Sequence, residues 1–334
     1  MIHSRAFGLH IHSDEALPGV PETESASAPS DRALRIRFDR WPDAVEPGRT
    51  GIPWPNPACA DISARDVCVV GDGRWLSLVY DETLCFFVRR DGGEVSFVRP
   101  ASMSIDEVAT YLLGPIIGLV LRLRGVACLH ASAVGVGDGV VCLVGPSESG
   151  KSTTAAALVR MGHSLVTDDI SAVDLRDGVA TVRPGAPRIR LWPGAVAKLV
   201  AGGADLPPLM AGWDKRYLDV PPIADLRDDP QPPLVCICLL GDRVSVNAPR
   251  IERVAARDAL VSLVANSYGN LLLDERMRQQ EFATLSTLAR ATPTFRLVPS
   301  DDPARLVDAC ALVIERARSN AAEAHRRATP AATP

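Results

Sequence analysis

The sequence is poor in lysine and lacks the features that mark membrane, secreted and nucleic-acid-binding proteins. Its 334 residues carry 36 lysine and arginine side chains against 40 acidic ones, so no overall basic field is present to bind nucleic acid. The longest apolar run, YLLGPIIGLVL at 111–121, is far shorter than the roughly 20 residues that cross a bilayer. The N-terminus MIHSRAFGLHIHSDE lacks the apolar segment of a secretory signal. We therefore predict a cytoplasmic protein that binds neither nucleic acid nor membranes.

The eight cysteines include no CxxC pair of the kind that binds zinc or performs redox chemistry. Cys236 and Cys238 are two residues apart in the apolar run PLVCICLL, where small buried side chains are the stronger interpretation and a metal site the weaker one. His10 and His12 have the same spacing, and without a third ligand in sight a metal site is again the weaker alternative.

The sequence divides into two regions that differ in predicted secondary structure. Residues 1–105 alternate short apolar segments with Gly, Pro and Asp turns, a pattern that predicts β-strands and hairpins. Polar or Pro-rich loops interrupt this region at 18–32 and 45–58. The stretch 106–125 has the length and apolar stripe of a buried helix that Gly125 closes, and we place the domain boundary just before it.

A second domain is predicted over residues 106–318, in which strand patterns mix with helical patterns. Its last helix begins at Asp302 and Pro303, an N-cap followed by proline at the first helical position, and ends near Arg318. The composition of residues 319–334 predicts a disordered tail.

A phosphate-binding motif lies in VVCLVGPSESGKSTTAAALVRM at 140–161. GPSESGKS fits G-x-x-x-x-G-K-[ST], and it follows a β-branched apolar strand and precedes a helix that Gly162 stops. In such a loop the backbone N–H groups and the helix N-terminus surround the phosphates, the lysine reaches the β and γ oxygens, and the hydroxyl ligates magnesium. A chance match is the weaker alternative. The predicted nucleotide-binding residues are Gly145, Pro146, Ser147, Glu148, Ser149, Gly150, Lys151, Ser152 and Thr153.

Two carboxylates and a histidine are candidates for the chemistry. SLVTDD places Asp168 and Asp169 at the end of an apolar strand, where successive side chains point to opposite faces. One would hold magnesium, and the other would take a proton from an attacking hydroxyl. A turn or helix-cap pair is the alternative. His130 ends VACLH one hairpin before the glycine loop, where it would support the base, although a purely structural histidine fits the pattern equally well.

Basic residues further along the chain are candidates for contact with substrate or the γ-phosphate, and for each of them a solvated surface position is the stronger alternative. These residues are Arg188, Arg190, Lys215 and Arg216.

The order of these motifs resembles the catalytic domain of the HPr kinase/phosphorylase family, in which a histidine, a P-loop and a doubled aspartate follow one another as in LHASAV, GPSESGKST and TDD. The chain is similar as well to the HPr-kinase-like proteins of ribosomally made peptide clusters, including lasso peptide kinases; RAFGLHIHSDEALPGV and YLLGPIIGLVLRLRG share this likeness. The resemblance is sharp over residues 111–175. It implies an α/β fold like the HPr kinase C-terminal domain, which is related to phosphoenolpyruvate carboxykinase, preceded here by a β-rich region.

The resemblance also implies roles for individual residues. By position, His130 matches the family's catalytic-centre histidine, Asp168 the general base, and Asp169 the metal-binding aspartate beside Ser152. Lys151 would offset charge in the transition state. Two loop residues depart from the family, because Pro146 and Glu148 stand where HPr enzymes usually have Asp and Gly.

The implied activity is transfer of phosphate from ATP, with Mg²⁺, to a serine or threonine of a peptide or protein, with a lasso-type precursor as the favoured acceptor. The first hundred residues do not look like the N-terminal domain of the HPr enzymes, and substrate recognition is the role we predict for them. Two other classes stay open: a regulator or assembly component that uses nucleotide hydrolysis as a switch, and a small-molecule kinase. A homo-oligomer is a further open alternative.

Overall fold

The chain forms two compact units in a computed structural model. The first unit contains Met1–Val126, Leu209–Trp213 and Gly269–Glu281, and the second contains the rest of the chain. The structure describes residues 1–23, 33–47, 51–53, 65–81, 83–200, 206–210, 212–222, 231–245 and 248–328.

The first unit is built on an eight-stranded sheet, which confirms the predicted β-rich region. The strand order is β1-β2-β3-β8-β7-β6-β5-β4, and among these pairs β2–β3 and β3–β8 are parallel while the others are antiparallel. The strands are β1 (Ile2–Ala6), β2 (Leu9–Ser13), β3 (Leu34–Arg37), β4 (Ile52–Pro53), β5 (Arg65–Val70), β6 (Trp75–Tyr80), β7 (Leu84–Arg89) and β8 (Glu94–Val98).

The predicted helix at 106–125 is present, but it is interrupted. Helix α1 (Ile105–Tyr111) begins at a capping box of Ser104 and Glu107, and α2 (Ile117–Leu123) follows after a π-helical turn. That turn, Leu112–Ile116, contains a glycine and a proline, which break regular helical hydrogen bonding. Gly125 closes the helix at a φ of +76°, as predicted.

The helical stretch lies in the first unit, so the domain boundary falls after Val126 and the predicted boundary before residue 106 was wrong. The ring of Tyr111 packs on Tyr80 of β6 at 4.6 Å between centroids. Arg124 Nε donates to the carbonyl of Gly92 at 2.9 Å. An amphipathic pattern identifies a buried helix, but it does not indicate which sheet the apolar stripe will cover.

The second unit contains a mixed sheet in the order β13-β12-β9-β10-β16-β18-β17, with β11 also paired to β9. The pairs β10–β16 and β16–β18 are parallel. The strands are β9 (Ala127–Val136), β10 (Gly139–Val144), β11 (Ser164–Thr167), β12 (Ile170–Arg176), β13 (Val179–Val182), β14 (Arg188–Leu191), β15 (Arg216–Asp219), β16 (Leu234–Leu240), β17 (Arg250–Arg253) and β18 (Thr294–Val298).

Helices cover both faces of this sheet, so its central strands are apolar throughout. Alternate β10 residues enter different cores: Val141 and Leu143 pack with α3 (Lys151–Arg160) and α7 (Leu306–Ala328), whereas Val140 and Cys142 pack with α5 (Ala256–Ala265) and α6 (Glu275–Ala291). The alternation follows from the two-residue period of a strand. A short helix, α4 (Pro193–Leu199), follows β14.

The α/β architecture predicted from the sequence is therefore confirmed, with corrections at the C-terminus. Asp302 caps a 3₁₀ turn that leads into the last helix, as predicted. That helix continues to Ala328 instead of ending near Arg318, so the tail prediction was wrong for residues 319–328. The rest of the predicted tail and parts of the predicted loops at 18–32 and 45–58 lie outside the described residues.

Two smaller predictions concern the core and the membrane. Cys236 and Cys238 are fully buried in the second unit, as predicted. Within the described ranges, no helix combines the length and the apolar character that crossing a bilayer requires.

Candidate active site

The glycine loop connects the end of β10 to the start of α3, the strand–loop–helix context that the motif requires. Gly150 has a φ of 100°, which favours glycine, and it stands at the N-cap of the helix. Glu148 also has a left-handed backbone, with a φ of 66°, at the position where HPr enzymes usually have glycine. Its side chain is exposed, so the departure from glycine places no carboxylate inside the loop.

Polar groups inside the loop fit an anionic ligand. The buried ammonium group of Lys151 donates to the carbonyls of Gly145 and Pro146, both at 2.8 Å. The hydroxyl of Ser149 is buried and has no hydrogen-bond partner among the described residues. Burial lowers the pKa of Lys151. A buried cation and an unsatisfied hydroxyl next to a helix N-terminus are suited to a polyphosphate.

The strands of the second unit bring the predicted residues to one edge of the sheet. The β9–β10 hairpin forms as predicted and places Ala131 opposite Val144, one residue before the loop. On the other side of β9, Thr167 pairs with Ala133 and Ile170 pairs with His130, so the aspartates between them lie at the same edge. Long-range pairing of β9 thus assembles the site.

Asp168 contacts the glycine loop at Ser152. Its Oδ1 accepts from Ser152 Oγ at 2.9 Å and from Ser132 Oγ at 2.6 Å, and its Oδ2 accepts from the backbone N–H of Arg190 at 3.0 Å. Burial raises the pKa of Asp168, against the effect of these hydrogen bonds. The carboxylate and the Ser152 hydroxyl are oxygen ligands of the type that magnesium prefers.

Asp169 faces a different set of groups. Its Oδ1 lies 3.5 Å from His130 Nε2, and its Oδ2 accepts from Arg190 Nη1 at 3.0 Å and from the Tyr268 hydroxyl at 3.4 Å. Burial alone would raise the pKa of Asp169, but the charges of Arg190 and His130 outweigh burial and lower it. Burial lowers the pKa of His130. Asp169 therefore lies among a guanidinium group, an imidazole ring and a tyrosine hydroxyl.

The two aspartates form a bend rather than the end of a strand, because β11 stops at Thr167. Asp169 has a φ of 70°, a left-handed conformation that aspartate tolerates better than most residues. The two carboxylates contact different groups, which is consistent with the predicted separate roles. The cause is the bend at these residues and not the alternation of side chains between the two faces of a strand.

Of the four basic candidates, the structure places Arg190 at the aspartates. Arg188 instead pairs with Asp219 at 2.5 Å, and Arg216 lies opposite Leu191 in the β14–β15 ribbon. Lys215 precedes that strand, and its ammonium group lies over the ring of Trp192 at 4.9 Å.

Three residues at the site were missed in the sequence. Ser132 is two residues after His130 on one strand, so the period of two was a usable signal. Tyr268 lies about a hundred residues from Asp169, and nothing in the local sequence marks it. Arg243 follows β16, and a Cβ built on Gly150 would lie 3.4 Å from its guanidinium group. The C-terminal ends of neighbouring parallel strands commonly line a ligand site, which was the available signal for Arg243.

Among the described residues, no third metal ligand joins the histidine pair of the first unit. His10 lies opposite Arg5, and His12 lies opposite His3, whose ring it meets edge to face. In the part of the chain that the structure describes, no three His, Cys, Asp or Glu side chains form a group that could hold a metal ion.

Comparison with known proteins supports the resemblance over a limited stretch. The chain is 40% identical over 63 residues to the HPr kinase/phosphorylases of Clostridium botulinum strains Eklund 17B / Type B and Alaska E43 / Type E3. The match covers 19% of this chain and 20% of each relative, so the chain matches about a fifth of the length of these curated relatives. The predicted resemblance to HPr kinase/phosphorylases is thereby confirmed over these residues.

The HPr(Ser) kinase/phosphatase from Coxiella burnetii matches 59% of this chain and 98% of its own, at 13% sequence identity and a TM-score of 0.29. No protein-family model matches the sequence.

Proposed function

We propose that the chain is an ATP-dependent kinase of the HPr kinase type, which transfers the γ-phosphoryl group to a serine or threonine hydroxyl of a peptide or protein. The observation that carries this proposal is the 2.9 Å hydrogen bond between Ser152 and Asp168. It joins the glycine loop to the acidic pair, as phosphoryl transfer from a magnesium nucleotide requires.

The loop and its flanking groups would bind the triphosphate. The backbone N–H groups of the glycine loop, except at Pro146, and the α3 N-terminus would bind the phosphates. Lys151 would release the carbonyls of Gly145 and Pro146 and bind phosphate oxygens instead. Arg243, next to Gly150, would add positive charge at the mouth of the loop. Magnesium, held by Ser152 and an aspartate, would supply charge neutralisation on the β and γ oxygens.

The contacts of the two aspartates favour roles opposite to those that the resemblance implies. Asp168 shares Ser152 with the loop, so we assign it to the metal. Asp169 lies next to His130 and Tyr268 and its contacts differ from those of Asp168, so we assign it as the general base. In the transfer, the acceptor oxygen bonds to the γ-phosphorus while the bond to the β–γ bridging oxygen breaks. The acceptor proton passes to Asp169, and ADP leaves.

Arg190 would hold Asp169 in position and keep it ionised. His130, whose Nε2 lies 3.5 Å from Asp169 Oδ1, would orient the carboxylate or the acceptor hydroxyl. A lasso-type precursor as acceptor and substrate recognition by the β-rich unit remain predictions from the sequence.

A transfer experiment tests the proposed class. The purified chain is incubated with magnesium, γ-labelled ATP and serine- or threonine-containing peptides. We expect label on the peptide. Label released only as free phosphate would support a hydrolytic switch, and label on a metabolite from an added extract would support a small-molecule kinase.

The lysine of the loop gives a second test. Lys151→Ala removes the buried ammonium group, and we expect the affinity for magnesium-ATP to fall by about 10- to 100-fold. Lys198→Ala is the matched control, because Lys198 is exposed on α4. Isothermal titration calorimetry measures both. Equal affinities for the two variants would rule out a phosphate contact by Lys151.

A further inference from the structure

The β14–β15 ribbon, which carries Arg190 to the acidic pair, has a second lysine at the same end. Leu191 pairs with Arg216, so Trp192 and Lys215 are the next residues on each side of the ribbon. The ammonium group of Lys215 lies 4.9 Å from the centre of the Trp192 ring. Trp192 is 44% exposed, which is unusual for a large aromatic residue, and Lys215 is half-buried.

Arg190 fixes this end of the ribbon to the candidate site. Its N–H bonds to Asp168 at 3.0 Å and its guanidinium to Asp169 at 3.0 Å, two residues before Trp192. Lys215 therefore stands at the end of the ribbon that Arg190 fixes to the acidic pair.

Lysine at position 215 is suited to a ligand that binds and is then released. Lysine is a compact charge on a flexible stem, and this chain otherwise uses arginine, with Lys151, Lys198 and Lys215 as its three lysines. A contact with an exposed ring is weak, so the ammonium group can exchange it for a phosphate oxygen.

We propose that Lys215 contacts the γ-phosphoryl group during transfer and that Trp192 is a positioning residue that holds its ammonium group at the mouth of the site. This inference rests on the proposed kinase function. As the acceptor oxygen bonds to phosphorus and the bridging bond breaks, Lys215 would offset charge on the peripheral oxygens. ADP lacks that group, so Lys215 would distinguish ATP from ADP.

Calorimetric titration with magnesium-AMP-PNP and with magnesium-ADP tests the inference. Lys215→Met is expected to lower the affinity for AMP-PNP by about 10- to 100-fold and to leave the affinity for ADP unchanged. Unchanged ADP binding also shows that the variant is folded. Lys198→Met, the matched control, is expected to change neither affinity.

Trp192 variants separate positioning from simple packing. Trp192→Phe keeps an aromatic face and is expected to retain the preference for AMP-PNP, whereas Trp192→Leu is expected to lose part of it. If the wild type binds neither nucleotide, the kinase proposal and this inference both fail. If the wild type binds both and Lys215→Met keeps the wild-type ratio of affinities, this inference alone is overturned.

Discussion

Replacing Asp169 with asparagine is expected to lower phosphoryl transfer by about 10²- to 10⁴-fold, the range that a general base contributes. Asparagine has nearly the same shape, but it cannot take the acceptor proton. Because Asp169 contacts His130 and Arg190 rather than the Ser152 hydroxyl, magnesium-nucleotide binding should change little. Transfer is measured with labelled ATP and the acceptor peptide, and binding is measured by calorimetry.

Asp168→Asn is the matched control for this prediction. Its carboxylate accepts from Ser152, so its loss should weaken the dependence of nucleotide binding on magnesium as well as transfer. The two variants separate the alternatives. If Asp169→Asn loses magnesium-dependent binding while Asp168→Asn keeps binding and loses transfer, the roles are those that the family resemblance implies, and our assignment from the contacts is wrong.

The parts of the candidate site that are formed by neighbouring residues in the chain could be predicted from the sequence. The glycine loop, its strand and its helix need residues that are neighbours in the chain, and the hairpin before the loop is also local. The roles of Asp168 and Asp169 depend on a left-handed turn at Asp169 that strand alternation does not predict. Tyr268 reaches Asp169 through pairing that is distant in sequence, so no pattern near either residue reveals it.

The errors in the fold have a similar cause. The composition of residues 319–328 suggested disorder, but alanine, glutamate and arginine also favour helix, and the apolar side of α7 gives that helix a core to pack on. The helix at 106–125 was recognised from its stripe, whereas its assignment to the first unit depends on tertiary contacts. Local sequence propensity therefore identifies the helices, whereas tertiary packing determines which unit each helix joins.

Glu281→Ala is expected to destabilise the first unit by about 3–5 kcal/mol, because it leaves a buried arginine without its carboxylate. Arg122 of α2 forms an ion pair with Glu281 of α6, and their side chains are only 3% and 9% exposed. Urea unfolding, followed by the fluorescence of Trp41 and Trp75 in this unit, measures the free energy of unfolding.

Two further variants decide whether the loss comes from an uncompensated charge or from lost packing. Glu281→Gln keeps the size and the hydrogen-bonding capacity of the side chain, so it should cost less than alanine. In the double variant Arg122→Met with Glu281→Leu no charge remains buried, so most of the stability should return. If the double variant is as unstable as Glu281→Ala, the cavity and not the charge of the buried guanidinium causes the loss. The two side chains would then stabilise the first unit by filling space. The smaller loss of stability expected for Glu281→Gln than for Glu281→Ala would come from side-chain size and shape alone.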